Sequence, residues 1–177
     1  MKTLCVFCGS RFGVNPKFKS DAIRLGELMG QAGIDLVYGG GNVGLMGVVA
    51  DAVMAAGGNV TGVIPRGLFD REVAHTKLTS LEVTEDMHTR KARMAEMADA
   101  FVALPGGYGT LDELCEIITW AQLGIHQKRI FLLEIDNFWK GFLDFVQHCV
   151  EQGFIAEKDL FTVVSSPDEL LAQLRQV

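Results

Sequence analysis

The sequence predicts an α/β chain with a doubly wound, mainly parallel sheet and helices on both faces. Three observations carry that prediction. Short, continuously apolar runs alternate with stretches of helical spacing along the whole length. Strands buried on both faces read this way, whereas a strand with one wet face alternates. Several of these runs lead straight into glycine-rich turns, as strand-to-helix connections of open parallel sheets do. The 177 residues suffice for one sizeable core and are few for two, so residues 1–177 are expected to form a single Rossmann-like domain.

In chain order the expected strands are TLCVFC, IDLVY, NVTGVI, SLEVT, DAFVAL, RIFLLEI and FTVVS. Helical spacing is visible in FKSDAIRLGELMGQAG, in GLMGVVADAVMAAGG and in DMHTRKARMAEMAD. The last helix carries explicit start signals: Ser166 as N-cap, Pro167 at the first position, and Glu169 placed to close a capping box. No linker, low-complexity run or internal repeat interrupts the pattern.

Composition narrows the function classes. Hydrophobic residues make up 49% of the chain and charged residues 21%, as in ordinary soluble globular proteins. A formal charge of −6 disfavours nucleic acid as a partner, because phosphate-backbone binding needs a basic face. The start, MKTLCVFCGSRFG, does not read as a signal peptide, since Gly, Ser and Arg break its apolar run at once. No stretch approaches the ~20 apolar residues of a membrane span, so no membrane partner is expected. Cys5 and Cys8 form a CxxC, but both fall inside an apolar run and no second CxxC completes a zinc site. Together with Cys115 and Cys149 they read as free thiols in a reducing cytoplasm. His75 and His126 lack the spacing of metal ligands, and hydrogen-bonding or surface roles are expected for them. No metal is expected.

Three glycine-rich turns follow strands: CGSRFG, YGGGNVGLMG and PGGYGT. One such turn needs no more explanation than a tight bend. Three on what should be the same sheet edge point to a shared pocket lined by backbone N–H groups. A dinucleotide is disfavoured, because the first turn lacks GxGxxG and no acid closes the second strand to hold a ribose. A P-loop is excluded by the absence of GxxxxGK[ST]. A nucleoside monophosphate or a similar phosphorylated metabolite suits what remains. Its phosphate, with a charge of about −1.5 to −2, would face a helix expected to begin near Thr110 and to present roughly +0.5 charge.

Two residues stand out against this background. Met87, Arg90, Met94 and Met97 recur at helical spacing, which puts Arg90 on an apolar stripe. A guanidinium there either snorkels to water or reaches an anionic partner. Glu113 likewise has two readings. Thr110 and Glu113 stand in capping-box register, yet a carboxylate beside a phosphate-holding turn is electrostatically awkward unless chemistry needs it.

MHTRK followed by DAFVALPGGYGTLDE resembles the LOG ("Lonely guy") family, whose pattern is PGGxGTxxE. The resemblance extends over nearly the whole chain, through VFCGS, LVYGGGNVGLMG, DREVAH around Glu72, and ITWAQLGIH. Family members are phosphoribohydrolases that act on cytokinin riboside 5'-monophosphates and often on AMP, although many carry a lysine decarboxylase label. The resemblance implies hydrolysis of an N-glycosidic bond in a nucleoside 5'-monophosphate, a homodimer with pockets near the subunit interface, and no cofactor. Arg90 and Glu113 match the family's essential arginine and glutamate. Glu72, Lys91, the turn and helix start formed by Gly106, Gly107, Tyr108, Gly109, Thr110, Leu111 and Asp112, and Thr119 match substrate-contacting positions. The chain departs from the family in CGSRFG, at Asp112, and in LLEIDNFW.

Decarboxylation on pyridoxal phosphate would need a Schiff-base lysine held in a cofactor site, and the sequence points to none. Glycoside cleavage passes through an oxocarbenium-like state, which Glu113, with Glu72 as a second carboxylate, could stabilise. The competing expectation is a non-catalytic nucleotide or cofactor carrier on the same fold.

Overall fold

The computed structural model describes residues 2–69, 74–156 and 159–175. The first half of the chain runs β1 (Thr3–Phe7), α1 (Pro16–Gln31), β2 (Asp35–Tyr38), α2 (Gly44–Ala55), β3 (Val60–Pro65), α3 (Arg66–Phe69) and β4 (Ser80–Thr84). The second half runs α4 (Met87–Met97), β5 (Ala100–Ala103), α5 (Tyr108–Gln122), β6 (Arg129–Leu133), α6 (Lys140–Glu151), β7 (Thr162–Val164) and α7 (Pro167–Leu174). All seven expected strands are present and form one sheet in the order β4-β3-β2-β1-β5-β6-β7. Every neighbouring pair is parallel.

The chain winds outward from β1 to β4, returns to lay β5 against the other side of β1, and winds outward again. The order therefore reverses between β1 and β5, where Cys5 is in register with Val37 on one side and Phe101 on the other. A crevice opens at such a reversal, beyond the carboxyl ends of the strands.

Alternation of side chains along the strands divides the core between two faces. Leu4, Val6, Leu36, Tyr38 and Val102 pack with Leu25 and Met29 of α1, Val49 and Val53 of α2, and Leu170 and Leu174 of α7. Cys5, Phe7, Val37, Phe101 and Ala103 pack with Met94 of α4, Leu114 and Ile117 of α5, and Trp139. Cys8 and Cys5 thus fall on opposite faces, both buried. They are core thiols, and burial pushes both well above the usual thiol range.

Helix starts follow side-chain chemistry. Asn15 caps α1 by accepting from the Lys17 N–H at 2.9 Å, with Pro16 opening the helix two residues before the apolar periodicity does. Asp86 caps α4 by accepting from the Thr89 N–H at 2.7 Å. At α7, Ser166 caps as expected, accepting from the Glu169 N–H at 3.1 Å. The expected box closes one residue further out: the Glu169 carboxylate accepts from the Ser165 N–H at 2.7 Å, rather than from Ser166. No helix of the described residues is long and apolar enough to cross a membrane.

Candidate active site

Because β2, β1 and β5 are neighbours, the three glycine turns meet at one edge, and hydrogen bonds tie them together. Gly9 of the first turn donates its N–H to Pro105 O of the third at 3.0 Å, and its carbonyl accepts from the Leu45 N–H of the second at 3.0 Å. Between the first and third turns lies a cleft of about 520 Å³, floored by the backbone at Pro105–Gly107 and walled by Phe12, Phe18, Tyr108 and Phe138. A larger, more open depression of about 690 Å³ lies between α1 and α2. None of its lining residues belongs to the three turns.

The third turn delivers the N-terminus of α5 to this edge. Gly107 is the N-cap and contributes no side chain, so the helix starts at Tyr108 rather than near Thr110. Thr110 is buried, its side chain folded over Gly106; a β-carbon on Gly106 would lie 2.0 Å from Thr110 Oγ1. The capping-box reading of Thr110 and Glu113 therefore fails. Thr110 sits inside the first turn instead of before it, and Glu113 points inward to a different partner. Gly107, Tyr108 and Gly109 are exposed, leaving the helix N-terminus with an open approach for an anion.

That partner is Arg90. Its Nη1 donates to Glu113 Oε1 at 2.8 Å, and its Nε donates to Val63 O within β3 at 2.9 Å. Arg90 is 7% exposed and Glu113 9%, so the arginine does not snorkel to water. The apolar stripe is narrower than its spacing suggests, since Met94 is buried while Met87 is 40% exposed. Space for the guanidinium comes from Gly39 in the second turn, where a β-carbon would lie 1.9 Å from Arg90 Nη2. Burial pushes the Glu113 carboxyl above the usual carboxylate range, and the adjacent Arg90 opposes the shift without cancelling it.

Lys91 turns the other way and joins two acids of α5, Asp112 at 3.0 Å and Glu116 at 3.1 Å. Burial works against its charge, but these two bonds prevail and hold its pKa above the ordinary lysine value. Glu116 gives no sequence signal of this role beyond its spacing from Asp112. Leu111 is half-buried on the α4 side, packed against the cluster beneath the pair. Thr119 is not brought together with Arg90 and Glu113. It is exposed, its hydroxyl donates back to Cys115 O at 2.7 Å, and at ~100° per residue it lies about 120° round the helix from Glu113. Glu72 lies outside the described residues. Just after it, His75 donates its N–H to Gly40 O at 2.8 Å, and its ring meets Asp51 at 3.0 Å. The His126 ring meets Ile117 O at 2.9 Å, so both histidines have hydrogen-bonding roles.

A family model described as "Possible lysine decarboxylase" matches residues 46–174. The cytokinin riboside 5'-monophosphate phosphoribohydrolase LOG7 of Arabidopsis thaliana is 50% identical over 177 residues, covering 99% of this chain and 82% of the relative. The phosphoribohydrolase LOG of Oryza sativa subsp. japonica is 49% identical, covering 99% of this chain and 73% of the relative. The chain belongs to the LOG family. Among solved structures, the molybdenum cofactor binding protein of Rippkaea orientalis superposes with a TM-score of 0.74 at 21% identity, covering 99% of this chain and 96% of that one. The Moco carrier protein of Chlamydomonas reinhardtii gives 0.72 at 20% identity, with the same coverage. At that identity the likeness shows a shared fold. Lys91 does not suit Schiff-base decarboxylase chemistry in this LOG-family chain. A lysine that forms a Schiff base must shed its proton, and Lys91, the lysine beside Arg90, is held charged by two carboxylates.

Proposed function

We propose that the chain hydrolyses the N-glycosidic bond of adenosine 5'-monophosphates, including N6-modified ones, to give free base and ribose 5-phosphate. The observation that carries this reading is the buried Arg90–Glu113 pair held beside the open N-terminus of α5. The helix N-terminus takes the 5'-phosphate through the backbone N–H groups from Gly107 to Thr110, with Gly106 completing that contact; Leu111, whose N–H is given to Gly107 O, and Asp112, paired with Lys91, support the helix start. Glu113 accepts from Arg90 through Oε1, and Oε2 serves the substrate. As C1'–N9 breaks, positive charge builds on the ribosyl centre, and Glu113 stabilises it or takes the proton of the attacking water. The base leaves with its bonding electron pair and takes up one proton, balanced by the one the attacking water gives up, and the water oxygen becomes the anomeric hydroxyl. Arg90 is a positioning residue that fixes the Glu113 carboxylate, and Glu72 is the second carboxylate candidate.

Residues 1–177 act as one domain, without a cofactor, in the cytoplasm, where the free thiols Cys5, Cys8, Cys115 and Cys149 are at home. The chain works as a homodimer. Exposed Leu123 and Ile125, just beyond α5, supply apolar contact area, and Lys91 and Thr119 meet substrate along the α4–α5 side. The position of Thr119, turned away from Glu113, suits a contact across that dimer.

Product analysis after incubation with AMP, its N6-prenylated analogue and adenosine tests the reading. Free base is expected from both monophosphates and not from adenosine. Tight nucleotide binding with no base released from any of the three would make the protein a carrier.

A further inference from the structure

We infer that Arg11 is a phosphate-recognition residue, a side-chain cation that reaches from the first turn to the anion site at the start of α5. The inference rests on the phosphate position proposed above and adds a side-chain cation to it.

The turn that carries Arg11 is fixed against both of its neighbours. A β-carbon on Gly9 would lie 3.2 Å from Arg11 O and 3.3 Å from Gly106 Cα, so the backbones of Arg11 and of the phosphate turn both rest on Gly9. On its other side, a β-carbon on Gly44 would lie 2.3 Å from Arg11 N. With its backbone held between two turns, Arg11 lines the same cleft as Gly106 and Gly107.

Charge in the cleft is one-sided. Arg11 is the one charged residue among the described residues that line it. Arg24, Arg90 and Arg93 are each tied to a carboxylate, whereas Arg11 has neither a salt bridge nor a side-chain hydrogen bond among the described residues. In a chain of net charge −6, an unneutralised guanidinium beside an exposed helix N-terminus marks the place for an anion. A planar fork matches phosphate oxygens in pairs.

The test compares wild type with Arg11→Ser and Arg11→Lys. KM for AMP is expected to rise about tenfold in the serine variant, the size of one exposed charge-assisted hydrogen bond, with most of the change in KM rather than kcat. Product inhibition by ribose 5-phosphate should weaken by the same factor, inhibition by adenine should hold, and the lysine variant should recover part of the loss. Unchanged KM and unchanged ribose 5-phosphate inhibition in Arg11→Ser would overturn the role, as would equal weakening of ribose 5-phosphate and adenine. If wild type releases no base at all, the hydrolase reading fails. The Arg11 role is then decided separately by calorimetric binding of AMP against adenosine in the same variants.

Discussion

Gly39 and Arg90 share a space that one β-carbon would fill. The α-carbon of the second glycine turn lies directly under the guanidinium, and a methyl group added there would stand 1.9 Å from Nη2. The residue beneath the arginine is therefore as much a part of the carboxylate's support as the arginine itself.

Gly39→Ala is expected to displace Arg90 from Glu113 and Val63. Overpacking of this kind costs about 1–3 kcal/mol, readable in urea unfolding, and base release should fall with it. In an Arg90→Ala background the same glycine change should cost little further activity, since the group it disturbs is gone. Fully additive activity losses would show that Gly39 acts by another route.

Glu113→Gln tests the carboxylate itself. The amide oxygen can still accept from Arg90, so the fold should persist, while the negative charge is lost. Turnover is expected to drop ~10²–10³-fold, as when other electrostatic stabilisers are deleted. Near-normal turnover in a folded variant would reduce Glu113 to a structural ligand of Arg90.

The acid limb of the rate profile should lie above the ordinary glutamate value of about 4.3, because burial raises Glu113. Arg90→Gln should move that limb further up, as the opposing charge is removed. Stability carries the matching sign. A carboxyl whose folded pKa exceeds its unfolded one favours folding fully below about 4.3 and loses that contribution as pH rises through the folded value. Wild type should therefore lose stability relative to Glu113→Gln across that window, measured as the difference in unfolding free energy at stepped pH. A flat difference would mean that Glu113 is not perturbed.

Arg90→Lys keeps the charge and loses the fork. One ammonium cannot reproduce the geometry in which Nε holds Val63 O while Nη1 holds Glu113. A stability loss of about 1–3 kcal/mol and at least a ~10-fold fall in kcat/KM are expected from denaturation and steady-state rates. Full activity would show that charge alone suffices.

Much of the architecture was legible before the fold was seen. Parallel strands covered on both faces need apolar side chains at every position, so TLCVFC and DAFVAL announce themselves, and the glycine turns mark the edge where they end. Arg90 and Glu113 were legible as two candidates, but whether Arg90 holds Glu113 or the phosphate was not. The geometry of the pair depends on β3 lending Val63 O and on Gly39 leaving room, and both are set by strand order rather than local spacing. The same limit explains the failed capping box. Thr110 and Glu113 satisfy the local rule, but Gly107 starts the helix earlier and burial of the carboxylate against Arg90 wins. Phe18 and Phe138, 5.7 Å apart edge to face, gave no signal because their meeting joins α1 to the loop before α6.

Gly9 uses both of its backbone groups to bind the other two turns, Pro105 through its N–H and Leu45 through its carbonyl. Opening the cleft at its base breaks bonds that tie the turns to one another, so it costs more than moving a single loop. The paired Gly9 and Leu45 amide protons should exchange far more slowly than the open N–H groups at the start of α5, and heat inactivation should track loss of the sheet. A nucleotide meeting such a pocket spends little of its binding free energy on ordering it.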